Sequence, residues 1–123
     1  MSSLTDIEVA WIVGVLACNG SFTVDAGQPI VSVQVIDRRH GTVARLHSLV
    51  PGSRLHGPYE RGRGRPRSWI WRVNGGRLRG LLERLNEPWA LELGDDHYRR
   101  RLARVTAAFE ARHRALTVAA VPA

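Results

Sequence analysis

The stretch from about Thr5 to Cys18 constrains this chain more than any other, because it carries helix-capping signals yet is apolar on nearly every side. Thr5 or Asp6 can cap it, Glu8 sits in its first turn and Gly20 follows its end. A helix without a polar face has to be buried, so the rest of the fold must be built around it. Along it Ala10, Gly14, Ala17 and Cys18 recur at helical spacing, and this stripe of small residues lets a second helix backbone approach closely. The stripe predicts a helix pair; packing inside the chain's own core is the other use it can have.

Immediately after this helix the hydrophobic period falls to two. Phe22 and Val24 lie on one side of a strand with Ser21, Thr23 and Asp25 on the other, and a Gly27-Gln28-Pro29 turn is expected next. Val31, Val33 and Val35 then alternate with Ser32 and Gln34, after which Asp37 is placed to cap a short helix carrying Val43, Leu46 and Val50. Past Pro51 and Gly52, a second hairpin sets Arg54, Leu55 and His56 against Ser68 to Asn74. Within the latter strand Trp69, Trp71 and Val73 share one face, and Ser68, Ile70 and Arg72 share the other. A short helix with Leu78, Leu81, Leu82 and Leu85 follows, and Gly94-Asp95-Asp96 opens a last helix bearing Tyr98, Leu102, Val105 and Phe109. The order α-β-β-α-β-β-α-α predicts one two-layer α+β domain over residues 1–116, with helices on one face of an antiparallel sheet and a polar, basic face left open. Residues 117–123 read as a flexible tail.

With 123 residues the chain supports one core rather than two, and its formal charge of +7 draws the whole surface toward polyanions. Every basic residue is Arg and none is Lys, so the donors are planar forks suited to phosphate and guanine, and no catalytic lysine exists. No apolar run approaches membrane-spanning length, which leaves nucleic acid as the leading partner and predicts no membrane association. Cys18 stands alone, so neither a disulfide framework nor a cysteine zinc site is available. His40, His47, His56, His97 and His113 have no zinc-site spacing, and Gly62-Arg63-Gly64-Arg65 lacks the strand-to-helix setting of a nucleotide loop. The beginning of the sequence lacks a charged segment leading into a cleavable apolar one, so a cytoplasmic protein is expected.

The residues Trp11-Ile12-Val13-Gly14-Val15-Leu16-Ala17-Cys18-Asn19-Gly20-Ser21-Phe22 resemble the signature of the LAGLIDADG homing endonucleases and its Ser-Phe continuation, with Gly14 and Gly20 at the two glycine places. The order of elements is similar too, as is the Ser-Trp-x-Trp-Arg-Val strand after an Arg-rich loop, and the resemblance covers roughly residues 7 to 112. It implies an αββαββα(α) fold with a four-stranded antiparallel saddle sheet. One motif per chain implies a homodimer whose motif helices meet through Ala10, Gly14, Ala17 and Cys18. A two-fold axis in turn favours a palindromic or pseudo-palindromic site on double-stranded DNA. In this family the saddle reads the major groove. Strand alternation gives the matching side chains here as Ser21, Thr23, Asp25, Gln28, Ser32, Gln34, Arg54, His56, Ser68, Ile70 and Arg72, with Arg61, Arg63, Arg65 and Arg67 of the loop suited to phosphates.

Cleavage in the family resembles metal-assisted hydrolysis, in which an acidic residue just before the final motif glycine, one from each subunit, holds divalent ions at the scissile phosphates. Here that catalytic position is Asn19, and the other acidic place in the motif is Ala17. The expectation is therefore sequence-selective DNA binding with a degenerate active site, no cleavage, and neither a metal nor another cofactor. Two alternatives stay open: an active magnesium-dependent endonuclease that tolerates Asn19, drawing on Asp25, Asp95 or Asp96, and a maturase-like RNA binder. The simpler use of Asp95 and Asp96 is to cap the last helix.

Overall fold

The computed structural model describes residues 3–118. Helix α1 (Asp6–Asn19) opens with a capping box, in which the Glu8 amide donates to Thr5 Oγ1 at 3.1 Å and the Thr5 amide donates to Glu8 Oε1 at 2.9 Å. Val9, Ile12, Val13 and Leu16 form its buried stripe. The opposite side is open. Ile7 is 83% exposed, Gly14 is exposed, and a Cβ added to Gly14 would meet nothing within 4 Å. The expectation that α1 is buried all round is thus corrected: one stripe enters the core, and of the small-residue stripe Ala17 packs against that core while Gly14 and Cys18 stand exposed. Arg84 fixes the start of the helix, bonding Asp6 at 2.6 Å, Glu87 at 2.5 Å and the Leu4 carbonyl at 3.2 Å.

No linker separates α1 from β1 (Gly20–Asp25). Gly20 has an ordinary extended backbone, but a Cβ there would stand 2.5 Å from the Leu16 carbonyl oxygen, so the close approach itself demands glycine. The turn to β2 (Gln28–Ile36) is Ala26-Gly27, with φ of 50° and 79°. Two positive φ values in a two-residue loop match the twist of the flanking strands. The turn therefore lies one residue earlier than Gly27-Gln28-Pro29. Gln28 pairs with Asp25, and Pro29 sits in the strand opposite Val24, just before β4 begins to pair at Ile30, so its missing N–H breaks no ladder on that side.

The four strands, completed by β3 (Arg54–Tyr59) and β4 (Ser68–Asn74), run antiparallel in the order β1-β2-β4-β3. β3 continues past His56 to Tyr59, with a register shift between the two. The inner face carries Phe22, Val31, Val33, Val35, Trp71 and Val73, all buried. It is covered by α2 (His40–Leu49), through Val43 and Leu46, and by α5 (Asp96–Arg112), through Tyr98, Leu102, Val105 and Phe109. α3 (Arg79–Leu85) and α4 (Pro88–Leu91) pack against α1. Burying each large apolar side chain stabilises the fold by about 1.5–3 kcal/mol, so these helices commit their apolar sides to one layer and leave the other sheet face uncovered.

Asp95 caps α5 as expected, accepting from the Tyr98 amide at 2.8 Å. α2 has no side-chain cap, and Asp37 is used elsewhere, as described below. Beyond α5, Arg79 donates to the carbonyls of Arg114 and Ala115, and the Thr117 amide donates to Glu83 Oε2 at 3.1 Å. The bonded chain thus reaches Thr117, where the tail was expected to start; residues 119–123 of that tail lie outside the described residues. Among the described residues, no helix is long and apolar enough to cross a membrane.

Candidate nucleic-acid interface

Strand register arranges the outer face in rows that cross the sheet. One row is Ser21, Ser32, Arg72 and Arg54; the next is Gln34, Ile70 and His56; on the other side of the first lies Thr23, Ile30 and Asn74. Because Gly20 pairs with Val33, β2 runs on past the start of β1 and meets Ser68 through Ile36. Asn19 and the Arg-rich loop of residues 60–67 therefore leave the sheet at the same end, and the Ala26-Gly27 turn marks the other.

Ser21, Thr23, Asp25, Gln34, Arg54, His56 and Arg72 are exposed, while Gln28, Ser32 and Ile70 are half-buried. Arg54 and Arg72 stand directly opposite one another, and neither forms an ion pair or hydrogen bond among the described residues. Like charges so placed are destabilising by roughly 0.2–1 kcal/mol. Arg61, Arg63 and Arg65 are exposed on the loop and have no acidic partner among the described residues.

Two of the expected contact residues are placed differently. Arg67 bonds Asp37 at 2.9 Å, the Trp69 indole donates to the other Asp37 oxygen at 2.7 Å, and the Asp37 amide donates to the Arg67 carbonyl at 2.7 Å. The indole N–H, and after it the Arg67 guanidinium, hold the Asp37 carboxyl below its ordinary value of 3.8. This staple closes the base of the loop, so Asp37 is not the cap of α2, and Arg67 is already paired rather than a free phosphate donor. Ser68 shares the outer face by alternation but is only 2% exposed, so its hydroxyl is withdrawn from a ligand on that face.

Period-two reading with an eye for polar groups passed over Ile30 and Asn74, although their parity puts them on the outer face with Ser32 and Arg72. It also passed over Arg101. From α5, Arg101 donates to the Gly20 carbonyl at 2.8 Å, and its guanidinium carbon lies 5.1 Å from the centroid of the Phe22 ring. Its signal was present: Arg101 shares a helical side with Tyr98 and Val105. The guanidinium places a positive group beside the last turn of α1, where the helix ends in carbonyls and has no basic residue of its own.

Helix α1 thus ends on Asn19, exposed and uncharged, with the next carbonyl taken by an arginine. Asp95 is committed to capping α5, and Asp96 bonds Arg99 at 2.5 Å. Asp25 lies at the far tip of the sheet. Among the described residues no three His, Cys, Asp or Glu side chains converge. A divalent ion bound through carboxylates at the end of α1 does not fit these residues.

No family model and no curated protein matches the sequence. Solved structures do. The homing endonuclease I-CvuI, in complex with its target in 2 mM Ca, superposes with a TM-score of 0.60 at 14% identity, over 86% of this chain and 68% of that one. The fold is that of the LAGLIDADG homing endonucleases. I-CvuI on the I-CreI target, in 2 mM Mg with the DNA not cleaved, gives a TM-score of 0.55 at 14% identity over 80% of this chain and 63% of that one. I-TnaI, also a homing endonuclease, gives 0.52 at 12% identity over 87% and 88%. The fold accounts for the bare sheet face: its helices lie in one layer and leave the opposite face uncovered.

Proposed function

We propose that this chain binds double-stranded DNA in a sequence-selective way, as a homodimer, and does not cleave it. The observation that carries this reading is the uncovered outer face, on which Arg54 and Arg72 sit opposed, with no acidic partner among the described residues, beside a loop bearing Arg61, Arg63 and Arg65. Polar side chains on the strands suit base edges in a major groove, and the loop arginines suit phosphates. The DNA-bound structures of I-CvuI support the same use of the fold.

The dimer reading is supported by the open side of α1. Gly14 and Cys18 stand exposed, with open space around Gly14, and the exposed Ile7 with the half-buried Trp11 extends that strip along the helix; a partner backbone there would complete the cover of Ala10 and Ala17, which are half-buried. A second copy packed there about a two-fold axis would bring both Asn19 residues to one central place and favour a palindromic or pseudo-palindromic site.

Loss of cleavage follows from the chemistry at that place. Two aspartates would attract metal; two neutral amides, each followed by an arginine-bonded carbonyl, would not. Binding to a selected duplex should be equal in EDTA and in magnesium, with no nicking of supercoiled plasmid. Asn19→Asp should gain a magnesium dependence of binding. Nicking by the wild-type protein that disappears in Asn19→Ala would instead support an active endonuclease, and preference for structured RNA over duplex at fixed salt would support a maturase-like role.

A further inference from the structure

The two central rows of the outer face differ in chemistry. In one, Arg72 of β4 lies beside Arg54 of β3; in the next, toward the Asn19 end, Gln34 of β2 lies beside Ile70 of β4. Arg72, Arg54 and Gln34 are exposed with no protein partner for their side chains among the described residues, and Ile70 is a half-buried apolar group on a face that folding does not cover.

Each row matches a different base pair. The arginine fork fits the two acceptors, O6 and N7, that guanine offers in the major groove. A glutamine amide fits adenine N7 and N6, and an apolar side chain fits the thymine methyl, two features that one A·T pair presents side by side. Gln34 and Ile70 are cross-strand neighbours and stand side by side in the same way. Along a strand the rows are two residues apart, which at about 3.3 Å per residue is roughly 6.6 Å, or about two base-pair rises of 3.4 Å.

Resting on the DNA-binding reading above, we propose that these rows specify the target: in each half-site the Arg72–Arg54 row reads guanine, and the Gln34–Ile70 row reads an A·T pair about two base pairs nearer the centre. Other side chains on the face set orientation or contact the backbone. Arg72 and Gln34 are the residues that decide the letters.

The test is selection of bound duplexes from a randomised library by the full-length protein, followed by the same selection with Arg72→Gln and Gln34→Ala. The wild-type motif should contain guanine and, about two positions closer to the centre, an A·T pair. Arg72→Gln should move the first preference from guanine to adenine, since the amide matches adenine where the fork matched guanine. Gln34→Ala should weaken discrimination at the inner pair by about fivefold to a hundredfold, with the guanine preference unchanged. A switch of base identity is a result that loss of folding cannot produce. An enriched motif that lacks guanine, or one that Arg72→Gln leaves as it was, would overturn the row assignment while leaving DNA binding intact. A library that shows no enrichment with the wild-type protein would overturn the DNA-binding reading, and the assignment with it.

Discussion

On the inner side of β4, Trp71 and Val73 are 0% and 1% exposed, with α2 packed over that strand. On its outer side, one residue between them, Arg72 is exposed and faces Arg54 across the ladder, and neither has an acidic partner among the described residues. The same backbone thus carries one face that folding rewards and one that folding tolerates. Inner residues are explained by the apolar area they remove from water. Opposed arginines work against the sheet that holds them, and the DNA proposed to lie over that face would offset this cost.

The largest effect should come from the inner face. Trp71→Ala removes a fully buried indole beneath α2 and should cost about 3–5 kcal/mol, read by denaturant unfolding. A cost under about 1 kcal/mol would mean that the two faces are not as unlike as their burial implies, since changes of that size are ordinary at exposed sites.

Helix α1 repeats the contrast, with Leu16 buried on one side and Gly14 open on the other. An added Cβ at Gly14 meets nothing within 4 Å, and leucine replaces the weakest helix former but proline, so the monomer should gain about 0.5–0.8 kcal/mol. Across a helix pair the same side chain would overpack by about 1–3 kcal/mol or more. Sedimentation should therefore show dimer for the wild type and monomer for Gly14→Leu at equal micromolar concentration. A wild-type protein that sediments as a monomer would leave the open stripe without its proposed partner.

Next in size is the staple at the loop base, which joins the two faces because Trp69 lies on the inner side and Arg67 leads into the outer loop. The Asp37 carboxyl is held below 3.8, chiefly by the Trp69 indole and then by Arg67, so its contribution to stability is present above that value and fades as pH falls through the lowered one. Asp37→Asn should flatten the acid limb of a stability-against-pH curve and speed proteolysis within the loop at neutral pH. An unchanged acid limb would show that Asp37 is not titrating in this way.

What the sequence disclosed and what it withheld divide along the range of the interactions. The Thr5 capping box, the Asp95 cap and the alternation of Phe22, Val31, Val33 and Val35 are local patterns, and each follows from residues within a few positions. The staple joins residues 30 apart and the Arg101–Gly20 bond joins residues 81 apart, so both depend on register and helix placement that no local period encodes. Asp37 was read as a cap because an aspartate before a helix ordinarily is one. Ser68 was read as a surface group because alternation gives its face but not what covers it. For α1 the small residues predict a helix pair, but which side its own chain covers depends on tertiary packing: an all-round apolar helix signals that it needs covering, without saying what provides the cover.

The smallest effect on stability is the most informative about the outer face. Arg72→Ala removes one of two opposed charges from an exposed position that makes no ion pair, so the apo protein should lose nothing and gain up to about 0.5 kcal/mol, within the range of like-charge relief. Were Arg72 there to stabilise the sheet, the melting temperature would fall instead. DNA binding should move the opposite way, with loss on the selected duplex exceeding loss on a scrambled one, because a contact to base edges discriminates sequences. Arg63→Ala on the loop is the matched control: it should weaken both duplexes alike and reduce the slope of log affinity against log salt by about 1, the signature of one phosphate contact. If Arg72→Ala behaved as Arg63→Ala does, the outer strands would be a charged seat rather than a reading surface, and the contrast between the faces would reduce to one of charge.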